Sequence, residues 1–204
     1  MTPYYQDDAV TIYHGDCREV LPGLPKVDLV LTDPPYGIGF AAQPTKWQRL
    51  AGQKPEAWDG DCDRVLVAAL VPISERLIIW GGNYFGLPPL KSWLTWYKPD
   101  APPSMGQCEH AWTNLPTNTR MISCSISSTN PERLGHPTQK PLRVMAWCIS
   151  LCPDDPQTIL DPFMGSGTTL RAAKDLQRKA IGIEIEERYC EIAAKRMAQE
   201  VLAL

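Results

Sequence analysis

Apolar positions along the chain come in short bursts cut by glycine, proline and charged residues. Residues 10–14 predict a short strand, 17–21 a brief helix, and the run V-D-L-V-L-T at 27–32 a buried strand ending at Asp33. A helical pattern covers 61–71, and R-L-I-I-W at 76–80 predicts a second buried strand closed by Gly81-Gly82-Asn83. Residues 93–98 predict a third, followed by a proline-rich turn at 99–103, with two later strands at 109–113 and 121–126. Residues 141–152 have helical spacing and start with proline, which the first helical position tolerates. After them come a strand at 158–160 ending at Asp161, a helix at 168–176, a strand at 180–185, and an amphipathic helix at 187–204. In that last helix Ile192, Ala193, the Arg196 stem, Met197 and Val201 recur at helical intervals. Strands alternating with helices predict an α/β fold, a mostly parallel sheet with helices on both faces. Ligands in such sheets bind beyond the carboxyl ends of the strands.

Between these elements, residues 37–60 lose periodicity and carry Gly37, Gly39, Pro44, Gly52, Pro55 and Gly60, the composition of one long loop. Loops of that length in compact domains tend to be functional or mobile. The 204 residues, 44% hydrophobic and 21% charged, suffice for one core, so a single domain over 1–204 is expected. The amino terminus is polar and acidic, unlike a signal peptide, and no apolar run reaches the length of a membrane span. Seven cysteines without a Cys-x-x-Cys pair suggest neither a disulfide framework nor a zinc site, and a reducing cytoplasm is the expected home. A net charge of −3 argues against a protein that coats nucleic acid nonspecifically. Residues 91–143 nevertheless carry six Lys/Arg against three acids, which reads equally as scattered surface charge or as a phosphate-contacting patch.

Two motifs stand at strand ends. Asp161-Pro162-Phe163-Met164-Gly165-Ser166-Gly167-Thr168-Thr169 reads as strand terminus, glycine turn and helix start. Gly165 and Gly167 let a backbone approach a ligand, and a helix amino terminus offers unpaired N–H groups. Glu184, nineteen residues past Gly165 at the end of the next strand, fits an acid that binds ribose hydroxyls. Neither the full G-x-G-x-x-G fingerprint nor the G-x-x-x-x-G-K-[ST] phosphate loop is present, which favours a cofactor with a ribose and no phosphates. The second motif is Asp33-Pro34-Pro35-Tyr36, again where a strand ends. Its prolines fix the backbone and remove N–H donors, leaving carbonyls to accept. A carboxylate and an aromatic face beside them suit a planar group that donates N–H bonds and stacks, such as an adenine or cytosine amine.

With these motifs the chain resembles the amino-methyltransferases that modify adenine N6 or cytosine N4 in DNA. Supporting matches are G-D-C at Gly15 to Cys17 and H-P-T-Q-K-P at His136 to Pro141. Because D-P-P-Y precedes the cofactor turn, the order resembles the beta, or permuted, class. The resemblance implies the Rossmann-like class I fold of S-adenosylmethionine-dependent methyltransferases. It also implies that Asp161, Phe163, Gly165, Ser166, Gly167 and Thr168 hold the methionyl end of that cofactor, with Glu184 on its ribose, Asp16 at its adenine ring, and Thr138 with Lys140 over its carboxylate. Asp33, Pro34, Pro35 and Tyr36 would hold a target base flipped out of the DNA stack. Asp33 resembles the adenine-directed form of the motif; the cytosine-N4 enzymes more often resemble S-P-P-Y.

The expectation is therefore an adenine-N6 DNA methyltransferase of the restriction-modification type that takes no metal. A cytosine-N4 enzyme is the alternative, and a non-catalytic DNA- or cofactor-binding subunit the weaker one. DNA is the expected partner, with a second copy of the chain the other candidate. No separate target-recognition domain is visible, so DNA-contacting loops are expected within 37–60 and 99–135. Trp80, Trp93, Trp96, Trp112 and Trp147 read as packing residues, and Trp47 and Trp58 as candidates for a nucleic-acid surface.

Overall fold

A computed structural model describes residues 2–36, 69–127 and 139–199. Within them nine strands form one sheet: β1 (Tyr5–Gln6), β2 (Val10–His14), β3 (Leu29–Thr32), β4 (Leu77–Trp80), β5 (Trp93–Tyr97), β6 (Cys108–Thr113), β7 (Arg120–Ser123), β8 (Thr158–Asp161) and β9 (Lys179–Glu184). Their spatial order is β1-β2-β9-β8-β3-β4-β6-β5-β7. From β2 to β4 neighbours run parallel; β1 and β6 are antiparallel to the strands beside them, while β5 and β7 run parallel to each other.

The helices are α1 (Cys17–Val20), α2 (Leu142–Ser150), α3 (Thr168–Asp175) and α4 (Glu187–Met197). Alternation along the strands divides the core into two layers, because successive side chains leave a strand on opposite faces. Leu29 and Leu31 of β3 join the layer under α2, α3 and α4, with Met145, Cys148, Leu170 and Ala193. Val30, between them, joins the layer on the other face with Cys17 and Val20 of α1, Leu21 and Leu70. Leu29, Val30, Leu31, Ile78, Ile79 and Ile159 are all fully buried. Each such aliphatic side chain stabilises the fold by about 1.5–3 kcal/mol relative to exposure.

The architecture agrees with the expected mostly parallel α/β fold, and the differences are local. The three longer described helices share one face, and on the other stand α1 and a 3-10 turn at Leu21–Gly23. Strand segments 109–113 and 121–126 are present as β6 and β7 but do not adjoin, since β5 lies between them. The closing helix stops at Met197 with Ala198 as its cap rather than running on as expected. Of the helix expected at 61–71, residues 69–71 form a turn and 61–68 lie outside the described residues, as does the loop at 37–60. Segment 99–135 contains two sheet strands, which confines its described loops to 99–107, 114–119 and 124–127. Among the described residues no helix is long and apolar enough to cross a membrane.

Candidate active site

Strands β3, β4, β8 and β9 are parallel, so the segments that follow them emerge on one edge of the sheet. The end of β5 and the start of β6 reach the same edge. Together they surround a cavity of about 450 Å³ lined by groups from each, within the usual range for small-molecule sites.

Its first wall is the turn after β8. Asp161 is 2% exposed, and the chain itself consumes its carboxylate. Oδ1 accepts from the Thr32 hydroxyl at 2.8 Å and the Phe163 N–H at 3.1 Å, and Oδ2 accepts from the Thr169 hydroxyl at 2.6 Å. Asp161 thus ties the turn to β3 and to the first turn of α3. Burial pushes its carboxyl up to about 6 against these hydrogen bonds. The Ser166 hydroxyl donates to Gln139 Oε1 at 2.8 Å, which anchors the Q-K-P segment to the turn. Gly167 caps α3 with φ 79°, and a Cβ there would lie 2.9 Å from the Ala193 Cβ of α4. Its glycine therefore serves close packing against a helix, while Gly165 faces the cavity. At the end of β9, Glu184 Oε2 accepts from the Gly165 N–H at 3.0 Å and Oε1 from the Glu186 N–H at 2.9 Å.

The second wall is the segment after β3. Asp33 Oδ1 accepts from the Tyr36 hydroxyl at 2.6 Å, and Oδ2 receives the Lys140 ammonium at 2.6 Å. That ammonium also lies 3.0 Å from Glu109 Oε2 and 3.3 Å from the Tyr36 oxygen, to which it donates. Glu109 Oε1 is taken by Lys98 at 2.7 Å. Lys98 and Lys140 are 3% and 6% exposed, so two ammonium groups are held out of water by two carboxylates. Burial would raise the Glu109 carboxyl, but the adjacent Lys140 and Lys98 outweigh it and hold it down at about 2. Burial likewise opposes the charge on Lys140, and Asp33, Tyr36 and Glu109 overcome it to keep the amine well above its ordinary range. Burial raises the Tyr36 phenol.

The Tyr36 ring stacks on Tyr84 with centroids 5.0 Å apart and meets Phe85 edge-on. Its seat is Gly81, where a Cβ would fall 2.1 Å from Tyr36 Cε1 and where φ is +66°. Only glycine fits both constraints.

Of the residues expected at the site and described, all line the cavity except Asp16 and Gly167. Asp16 instead caps α1 by accepting from the Arg18 N–H at 2.9 Å and pairs with the Arg18 guanidinium. Thr138 lies outside the described residues, as do His136, Trp47 and Trp58. Lys140 lines the cavity with its ammonium on Asp33 and Glu109. Trp80, Trp96 and Trp112 are at most 5% exposed and pack in the core, and Cys148 and Cys152 are buried beside them. Glu109, Lys98, Tyr84 and Gly81 carry the site as well, yet sequence reading assigned them no part. The glycine pair closing a buried strand was the one visible signal for Gly81. Lys98 and Lys140 also leave the set of six cations that read equally as scattered surface charge or a phosphate-contacting patch, being spent inside the molecule.

A fold with motif-bearing segments at the carboxyl ends of parallel strands around one cavity defines a class of Rossmann-like enzymes. The profile of the N6/N4 methyltransferase family, described as DNA methylase, matches residues 79–195, and the chain belongs to that family. Type II methyltransferase M.ScaI of Streptomyces caespitosus is 27% identical over 261 aligned positions, covering 99% of this chain and 86% of that enzyme. The crystal structure of the M1.HpyAVI-SAM complex has a TM-score of 0.65 at 26% identity, covering 93% of this chain and 100% of that one. PvuII DNA methyltransferase, described as cytosine-N4-specific, shares the fold, with a TM-score of 0.62 at 19% identity over 98% of this chain and 90% of its own.

The buried Asp161 generates a prediction for pH. Its folded value of about 6 exceeds the ordinary 3.8, so folding favours the protonated form. The associated stabilisation is complete below about pH 4 and lost as pH rises through about 6. Asp161→Asn does not titrate. The unfolding free energy of the wild type minus that of this variant, from urea denaturation, should fall between about pH 4 and about pH 7. A difference that stays flat contradicts the assignment.

Proposed function

We propose that this chain transfers a methyl group from S-adenosylmethionine to the exocyclic N6 amine of adenine in DNA. One observation carries the reading: Asp33, Pro34 and Tyr36 share a single cavity with Gly165, Ser166 and Glu184. A base-holding segment and a cofactor-holding segment thus face each other across the ends of adjacent strands β3 and β8.

The donor set fits the cofactor. Glu184 offers a half-buried carboxylate to ribose hydroxyls, held in place by the Gly165 and Glu186 N–H groups. Phe163 and the 61%-exposed Ile185 supply apolar surface at the cavity wall. When bound, S-adenosylmethionine supplies a methyl group already activated by its sulfonium. What the protein must provide is position and orientation.

Asp33 and the Pro34 carbonyl accept from the two N–H bonds of the target amine. These bonds favour a pyramidal nitrogen whose lone pair points at the methyl group rather than into the ring. In duplex DNA the base reaches this site only after leaving the stack, at a cost of a few kcal/mol. Stacking on an open aromatic face of the Tyr36–Tyr84 pair offsets part of that cost. The Tyr36 hydroxyl, bonded to Asp33 at 2.6 Å, adds a second task to its ring: it fixes the rotation of the carboxylate that meets the amine. The preference for adenine rests on Asp33 heading the D-P-P-Y segment. Among the described loops, 99–107 contributes Met105 and Gly106 to the cavity lining.

Two measurements check the reading. Glu184→Ala should weaken S-adenosylmethionine binding in calorimetry by roughly 1.5–3 kcal/mol, the worth of a charge-assisted hydrogen bond, and an unchanged dissociation constant removes Glu184 from the ribose. DNA methylated by the protein, digested to nucleosides and analysed by mass spectrometry, should contain N6-methyladenine. N4-methylcytosine as the main product would keep the reaction class and overturn the base.

A further inference from the structure

Both carboxylate oxygens of Asp33 already accept from donors of this chain. One carboxylate oxygen takes the Tyr36 hydroxyl at 2.6 Å and the other the Lys140 ammonium at 2.6 Å. On the reading above, the target amine competes with these two donors for the carboxylate. The Tyr36 bond comes from a residue three positions away on the same rigid proline segment. Lys140 comes from the segment preceding α2, and its ammonium already stands between two carboxylates, at 2.6 Å from Asp33 and 3.0 Å from Glu109. An ammonium only 6% exposed that gives up Asp33 stays out of water and is best paired with another anion.

We propose that Glu109 is a positioning residue that takes over the Lys140 ammonium when the target base claims Asp33, so that Lys140 keeps a carboxylate contact as the pocket opens. Glu109 is built for this. Lys98 occupies Oε1 and leaves Oε2 facing Lys140. The Lys98 ammonium in turn lies over the Trp96 ring, 5.2 Å from its centroid, which holds the far end of the chain in place. Lys140 is steadied on its other sides by the rings of Trp80 and Tyr36, at 5.5 and 5.8 Å, which favour the cation without competing as hydrogen-bond acceptors for a fixed direction. The ammonium is thereby free to exchange one carboxylate for the other by a small displacement. Sequence position conceals the device, because its four charged groups come from positions 33, 98, 109 and 140.

The inference rests on the proposed function, and two experiments separate the two. In kinetics with unmethylated genomic DNA and labelled S-adenosylmethionine, Glu109→Gln keeps the shape and removes the charge, so Lys140 stays on Asp33. KM for DNA should rise on the order of tenfold, with the loss falling on KM more than on kcat. Glu109→Asp, which keeps the charge, should recover part of it. An unchanged KM, or a loss confined to kcat, overturns the proposal. Thermal melting gives a readout independent of activity. Asp33→Asn and Glu109→Gln each leave Lys140 one carboxylate, whereas the double substitution leaves none. The double variant should lose more Tm than the sum of the singles, or fail to fold where both singles fold; additive losses overturn the proposal. If Glu109→Gln alone does not fold, Lys98→Met tests the same balance from the other side. Glu109 then holds Lys140 harder and KM for DNA should fall, and a rise contradicts the exchange. A wild-type protein that methylates no DNA would sink the proposed function and leave the melting cycle to decide the coupling of Lys140.

Discussion

Two ammonium groups are buried at one edge of a mostly parallel sheet, and the arrangement of the cavity follows from the need to neutralise them. A buried charge is tolerated only when paired, so Lys98, Glu109, Lys140 and Asp33 must alternate in sign and stay in contact. The alternation draws together segments after β3, at the β5–β6 turn and before α2. It also gives Asp33 its orientation, since Lys140 and the Tyr36 hydroxyl approach different oxygens of the same carboxylate. A buried pair of this kind contributes little to net stability compared with apolar packing. Its value lies in fixing one acceptor in one direction at the mouth of a ligand cavity.

Backbone geometry supplies the rest. Parallel strands deliver their carboxyl-terminal segments to one edge, and β3 and β8 are neighbours. The carboxylate that ends β8 is bonded by Thr32, the last residue of β3. The two motif segments are therefore coupled at their roots, and a displacement of one is felt by the other. Gly81 completes the arrangement from β4 by letting the Tyr36 ring lie against bare backbone.

Much of this was legible beforehand because it depends on local pattern. Continuous apolar runs such as V-D-L-V-L-T and R-L-I-I-W give buried strands, and β2, β3, β4, β5, β8 and β9 fall within a residue or two of the expected bounds. The D-P-P-Y and G-S-G segments stand out because proline and glycine restrict or free the backbone in ways few other residues can. The ion chain was not legible. Glu109 meets Lys98 through the register in which Trp96 pairs with Glu109, and a turn of irregular sequence sets that register. Gly167 and Asp16 show the opposite limit. Both stand in motif positions that read as ligand contacts, and each also has a structural use, packing of α3 on α4 for the glycine and a helix cap for the carboxylate. A glycine turn and an acid before a helix have structural uses that sequence alone does not separate from binding.

On the proposed function, Asp33 acts on the target amine and leaves the cofactor to the β8 and β9 segments. Asp33→Ala tests it most directly, with S-adenosylmethionine affinity and single-turnover methyl transfer to DNA measured on the same preparation. Transfer should be abolished while cofactor affinity stays largely intact. Transfer within about tenfold of the wild type, a deficit of no more than ~1.4 kcal/mol in the barrier, would contradict it.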